Sequence, residues 1–258
     1  MAVDVADKVV VVTGASSGQG AAEARELAAG RARVIAADVR EPEGEMAPGV
    51  VHRRLDVSSR HQWGELAAWA KAEFGRVDGL VNNAATTAPS RLLEVEPEEW
   101  DRILGVNLTG QLYGIQAIAP LMSEGSSIVN ICSFAALSGH PPAAYTTSKW
   151  GLRGLSRVAS NELGPRGIRV NAIFPGYIDT PMVRQAPPVF IELTLAEVPL
   201  GRLGTPEDVA PMVAFLISDG SRWISGAEIP IDGGEWAHGG TKRFSDGLRP
   251  PVEAMEAS

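Results

Sequence analysis

Short apolar runs alternate with longer helical patterns along this chain. Lys8–Thr13 (KVVVVT), Arg33–Asp38 (RVIAAD), Val50–Leu55, Val77–Val81, Ser127–Cys132 (SIVNIC), Ile168–Ile173 (IRVNAI) and Glu228–Ile231 read as about seven strands. Ala21–Ala29 and Arg60–Phe74 read as helices, the second with Trp63, Leu66, Ala67, Ala70 and Phe74 on one stripe. Strands that are near-continuous Val/Ile runs are buried on both faces. Their alternation with helices predicts a parallel sheet covered on both sides, a doubly wound α/β sandwich.

Three segments break the rhythm. Val39–Gly49 holds Pro42, Gly44, Pro48 and Gly49, so a loop is expected there in place of a helix. Pro181–Leu203 holds Pro181, Pro187, Pro188 and Pro199 among apolar residues and reads as an irregular segment, either a flap over a site or a surface excursion. Glu98–Leu121 reads as one long helix with apolar residues on more than one face, which points to core burial and a subunit interface together. No repeat or linker divides the chain. One domain is expected over 1–234, including the flap at 181–203, followed by a tail at 235–258.

Composition narrows the class. A chain of 258 residues with 45% hydrophobic residues suits a soluble α/β domain with a sizeable core. The net charge of −8 argues against nucleic acid or an anionic membrane surface as partner. The single cysteine, Cys132, excludes an internal disulfide, which fits a reducing compartment and a cytoplasmic location. The N-terminus carries acid in place of a basic leader region, and no apolar run reaches a membrane span. His52, His61 and His238 show no metal-ligand spacing, so no metal is expected.

The chemistry begins at Thr13-Gly14-Ala15-Ser16-Ser17-Gly18-Gln19-Gly20, which joins the first strand to the first helix. Glycines there permit close approach of backbone to ligand, and a helix N-terminus offers free N–H groups to a pyrophosphate. Asp38 ends the second strand, where a carboxylate accepts bonds from ribose hydroxyls and repels a 2′-phosphate, favouring NAD(H); Arg40 nearby softens that preference. Tyr145 and Lys149 stand four residues apart, about one helical turn, so both leave the same face. An ammonium beside a phenol is expected to lower a tyrosine pKa that starts near ~10, giving a proton donor and acceptor near neutral pH.

With these pieces in place, the chain from about Lys8 to Gly234 resembles the short-chain dehydrogenase/reductase family, whose fold is of Rossmann type. The resemblance rests on ordered motifs: the turn at 13–20, Asp56-Val57, Asn82-Asn83-Ala84-Ala85, Asn107, Ser133, Tyr145 with Lys149, Pro175-Gly176 with Thr180, and Asp232-Gly233-Gly234. It implies a catalytic set of Asn107, Ser133, Tyr145 and Lys149. Cofactor contacts are implied at Gly14, Ser16, Ser17, Gly18, Gln19, Gly20, Asp38, Asp56, Val57, Asn83, Ala84, Ala85, Tyr145, Lys149, Pro175, Gly176, Ile178 and Thr180. Two residues depart from the family pattern: Gln19 stands where an aliphatic residue is usual, and Ala85 replaces glycine. Among family members the chain is similar to bacterial NAD-dependent 3α/20β-hydroxysteroid dehydrogenases, which implies a secondary alcohol and ketone pair as substrates and a homotetramer. In that mechanism Ser133 and Tyr145 bond the substrate oxygen, Tyr145 moves the proton, Lys149 serves both Tyr145 and the nicotinamide ribose, and Asn107 anchors a water leading to Lys149.

Substrate contacts are expected from Ser133, Tyr145, His140 and Met182. His140 lies in the loop between Ser133 and Tyr145 and is either a pocket residue or a plain loop residue. Apolar flap residues such as Val189, Phe190 and Leu195 favour a hydrophobic substrate, or else form oligomer core. Two other functions share these motifs. A 3-oxoacyl thioester reductase has the same catalytic set but uses NADPH, against which Asp38 counts. A non-catalytic dinucleotide sensor would usually lack the tyrosine or the lysine.

Overall fold

The computed structural model describes residues 3–248 apart from 43, 45, 182 and 186, so the substrate contact expected at Met182 and the last part of the tail lie outside the described residues. Seven parallel strands form one sheet: β1 (Val9–Thr13), β2 (Arg33–Asp38), β3 (Val50–Arg54), β4 (Gly79–Asn82), β5 (Ser127–Ile131), β6 (Arg169–Pro175) and β7 (Glu228–Ile231). Their spatial order is β3-β2-β1-β4-β5-β6-β7. The chain winds outward one way from β1 and the other way from β4. That reversal opens a crevice above the carboxyl ends of β1 and β4, where open α/β sheets bind ligands.

Helices cover both faces. α1 (Gly18–Ala29) and α7 (Pro206–Ile217) pack on one side, with Leu27, Val209, Val213 and Ile217 against Val10, Val12 and Ala36. α2 (Arg60–Phe74), α4 (Gly110–Ile118) and α5 (Ala143–Leu163) pack on the other, with Trp63, Leu66, Ile115 and Ile118 against Val11, Ile35 and Ile128. The apolar runs are buried on both faces because helices sit on both, which is the reading their composition suggested.

Several strand ends shift by one or two residues from the sequence reading, and four differences have a physical reason. α1 starts at Gly18, three residues earlier than expected, so the glycines form its first turn. β4 starts at Gly79 because Val77 is committed elsewhere, its N–H donating to Leu121. The long helix expected over Glu98–Leu121 is two helices, α3 (Pro97–Leu104) and α4, joined by a π-helical turn at Gly105–Thr109. The flap contains a regular helix, α6 (Pro188–Glu197). Pro188 stands at its first position, where a missing N–H costs nothing, so the Pro187-Pro188 pair marks a helix start and not a break. The segment 39–49 holds no helix among its described residues, as its prolines and glycines suggested. A short helix α8 (Lys242–Gly247) in the tail lies against α6, where Arg243 Nε meets Glu197 Oε1 at 2.7 Å. Among the described residues no helix is long and apolar enough to cross a membrane.

Candidate active site

The crevice is stitched together by one hydroxyl and one amide. Thr13 Oγ1, at the end of β1, accepts from the backbone N–H groups of Asn83 and Ala84 at 3.0 Å each and donates to the Val81 carbonyl at 3.3 Å. Asn83 Nδ2 donates to the Thr13 carbonyl at 2.8 Å. The turn between β1 and α1 is therefore fixed to the residues after β4. Two glycines make that possible. Gly14 has φ +68°, a conformation side chains rarely adopt, and a Cβ on Gly20 would stand 2.3 Å from the Gly14 carbonyl oxygen. Ser17, the residue before α1, makes no side-chain cap, so the helix's first amides are not satisfied by it.

Above the turn lies a cleft of about 580 Å³. Gly14, Ser17, Gly18, Gln19 and Gly20 line it, together with Asp38, Asp56, Val57, Asn83, Ala84 and Ala85. Ser133, Tyr145, Lys149, Pro175, Gly176, Ile178 and Thr180 complete the wall. The close-packed glycines, the uncapped helix start and the carboxylate at the end of β2 together fit a nicotinamide dinucleotide.

Asp38 is 5% exposed. Its Oδ2 accepts from the Ser16 N–H and its Oδ1 from the Arg40 N–H, both at 3.0 Å. The Arg40 guanidinium donates to Ser17 Oγ at 2.8 Å, which sets a fixed positive charge at the cleft edge close to that carboxylate. Ser16 itself does not line the cleft. Its hydroxyl donates to the Arg40 carbonyl at 2.8 Å, so it ties the turn to the end of β2.

The reactive side chains come from α5 and the end of β5. Tyr145 and Lys149 leave one face of α5, as their spacing predicts, with Lys149 Nζ 5.7 Å from the centre of the tyrosine ring. Lys149 is 2% exposed and donates to the Ile131 carbonyl at 2.8 Å. Ser133 follows β5 and its Oγ accepts from the Ala135 N–H at 3.1 Å. Asn107, fully buried in the π-helical turn, accepts from the Thr86 N–H at 2.8 Å. It donates to the Thr86 carbonyl at 2.9 Å and to Ser148 Oγ at 3.0 Å. Ser148 in turn donates to the Tyr145 carbonyl at 2.6 Å. Asn107 thus clamps the segment after β4 to the first turn of α5. Both of its amide hydrogens are engaged in that clamp, and Thr86, the partner it needs, was not singled out from the sequence.

One electrostatic expectation is corrected. Burial raises the Tyr145 pKa, with the Ser133 hydroxyl opposing it, so the phenol is not acidified in this structure. Burial also pushes Lys149 down to about 8. An ammonium that is itself driven toward neutrality has less charge with which to favour a phenolate.

His140 does not line the cleft. Its ring meets the edge of Tyr177 with centroids 6.0 Å apart, and burial lowers its pKa. Tyr177 also touches Phe134 at 6.3 Å and Phe190 of α6 at 5.3 Å. This aromatic group joins the loop after Ser133 to the flap helix. Its hub, Tyr177, follows Pro175-Gly176 directly and could have been found from that position.

Comparison with known proteins agrees with this architecture. The family described as enoyl-(acyl carrier protein) reductase matches residues 14–235. The 3-oxoacyl-[acyl-carrier-protein] reductase FabG of Thermotoga maritima is 40% identical over 238 residues, spanning 88% of this chain and 97% of that protein. Trans-4-hydroxycyclohexanecarboxylate dehydrogenase of Sinomonas cyclohexanicum is 38% identical, over 90% of this chain and 94% of its own length. The 3-alpha-(or 20-beta)-hydroxysteroid dehydrogenase of Mycobacterium tuberculosis is 38% identical over 88% of each chain. The crystal structure of gox2181 superposes with a TM-score of 0.86 at 30% identity, covering 91% of this chain and 98% of that one. With its parallel sheet, its glycine turn and these relatives along nearly its whole length, the chain belongs to the short-chain dehydrogenase/reductase family.

Proposed function

We propose that this protein is an NAD(H)-dependent oxidoreductase that interconverts a secondary alcohol and a ketone on a hydrophobic, ring-containing substrate. The observation that carries the reading is that Ser133, Tyr145 and Lys149 line the same cleft as the glycine turn and Asp38. A bound nicotinamide supplies or receives hydride, which side chains alone cannot do. Ser133 and Tyr145 bond the substrate oxygen, stabilising the charge that develops there. Tyr145 gives its proton in reduction and takes one in oxidation. Lys149 holds the ribose, and Asn107 positions the start of α5. Gly14, Ser17–Gly20, Asp56, Val57, Asn83–Ala85, Pro175, Gly176, Ile178 and Thr180 hold the dinucleotide, and Asp38 selects the form without a 2′-phosphate. Residues 1–234 form the catalytic unit and 181–203 close over the substrate. Apolar α6 and relatives named for a hydroxycyclohexane acid and for hydroxysteroids support a hydrophobic ring.

The experiment is a spectrophotometric panel of cyclic secondary alcohols and ketones with NAD(H) or NADP(H) at equal concentration. Tyr145→Phe is expected to cut turnover at least ~10³-fold while NADH binding stays within a few-fold, in line with loss of a general acid. Full turnover in that variant ends the mechanism.

A second reading, a 3-oxoacyl thioester reductase using NADPH, is favoured by the Arg40 guanidinium at the cleft edge and by the FabG relative. Adding a 3-oxoacyl thioester to the panel separates the two. We further propose a cytoplasmic homotetramer, supported by the exposed apolar residues Trp150 and Val158 on α5. Sedimentation as a monomer would count against it.

A further inference from the structure

Glu23 on α1 has no exposed surface, and its neighbours Ala22, Ala24 and Leu27 are core residues. Its Oε1 accepts from Gln19 Nε2 at 3.0 Å, while its Oε2 meets no hydrogen-bond partner among the described residues. A buried carboxylate with one neutral donor is not kept charged. Burial pushes Glu23 up to about 8, with only the Gln19 bond opposing, and no charged side chain shifts it. At neutral pH it is a carboxylic acid one helical turn below the cleft.

The polarity of the neighbouring amides follows. Asn83 gives Nδ2 to the Thr13 carbonyl at 2.8 Å and to the Gly14 carbonyl at 3.4 Å, so its Oδ1 is the atom left for Gln19. Gln19 Nε2 reaches that Oδ1 at 3.5 Å and Glu23 Oε1 at 3.0 Å. Both amide hydrogens of Gln19 are thereby directed inward. Gln19 lines the cleft, and the polar atom it has left for a ligand is its carbonyl oxygen.

We propose that Glu23 is a positioning residue of the dinucleotide site: it holds the Gln19 amide with its donors inward and its oxygen free for the cleft, so that the site favours the oxidised, cationic dinucleotide over the reduced one. An amide oxygen is the negative end of a dipole, and one that faces the ring stabilises its cationic form more than its neutral form. An aliphatic residue at position 19, usual in the family, has no such dipole. The proposal rests on the nicotinamide reading above.

The test measures dissociation constants for NAD+ by calorimetry and for NADH by fluorescence, in the wild type and three variants. Gln19→Leu is expected to lower the preference for NAD+ over NADH roughly 3- to 10-fold, the size of one net polar interaction. Glu23→Leu should do the same, because the Gln19 amide is then free to turn. Glu23→Gln should preserve the ratio, since its carbonyl accepts the same bond. If Glu23→Leu does not fold, Gln19→Leu and Glu23→Gln decide the matter. A ratio unmoved in Gln19→Leu, or both affinities falling together in Glu23→Leu, reduces Glu23 to a packing residue and overturns the proposal. A wild-type protein that binds neither dinucleotide overturns the nicotinamide reading as well.

Discussion

The glycine turn and the flap helix are built on different principles. At the glycine turn, polar groups are tied to backbone: Asp38 takes two N–H groups, Thr13 takes two more, and Asn83 donates to Thr13. At the flap, α6 leaves apolar side chains on its outer surface, with Val189 57% and Leu193 55% exposed. It is held by the Tyr177–Phe190 ring contact, by His238 Nε2 at 2.9 Å from the Glu197 carbonyl, and by the Arg243–Glu197 ion pair. The turn is specified by directional bonds, which tolerate little change. The flap is held by side-chain shape and surface charge, which tolerate much. A family that keeps one cofactor chemistry and varies its substrates needs this division.

The largest effect that would sharpen this contrast is at Glu23. Its folded pKa of about 8 lies above the ordinary 4.5, so the folded state holds a proton that the unfolded state has lost. Wild-type stability should therefore fall as pH rises from about 5 to 8, by up to roughly 1.4 kcal/mol per unit, and level off above. Glu23→Gln removes the slope. Urea unfolding at pH 6 and pH 8 should show the variant gaining about 2–3 kcal/mol on the wild type across that interval. Parallel behaviour of the two proteins would mean that Glu23 ionises normally.

Next in size is Gly20→Ala. The added methyl would stand 2.3 Å from a backbone oxygen, so the turn itself must move. Overpacking of this kind costs on the order of 1–3 kcal/mol, and dinucleotide affinity should fall with the melting temperature. Unchanged dinucleotide binding would show that the turn is as adaptable as the flap. The smallest effect is at the flap. Arg243 is 70% exposed, and Arg243→Ala should cost under ~1 kcal/mol, as surface pairs do. It should alter substrate KM with little change in kcat; a large stability loss there would erase the contrast.

Much of this was legible in the sequence because it depends on backbone rules. The strands were visible as Val/Ile runs, and the turn as glycines whose positions leave no alternative side chain. Tyr145 and Lys149 share a face because helical spacing requires it. What escaped the sequence depends on packing. Pro187 and Pro188 at the start of α6 looked like breakers because their place at a helix start is set by the chain around them. The phenol pKa was expected to fall because two residues were considered alone, whereas burial by the whole fold dominates it. Thr86 and Glu23 were missed because a hydrogen-bond partner has no fixed spacing from the residue it serves.

The π-helical turn at Gly105–Thr109 has a consequence for length variation. A single residue advances an α-helix by about 100°. α3 buries Ile103 before the turn and α4 buries Ile115 and Ile118 after it. The extra residue lets each half keep its own rotational phase while Asn107 stays at the joint. A one-residue deletion between 105 and 109 would let the chain run on as one regular α-helix with both apolar sides still turned inward. What it would remove is the joint that carries Asn107, so the segment can lose a residue without unpacking the helix but not without losing the clamp.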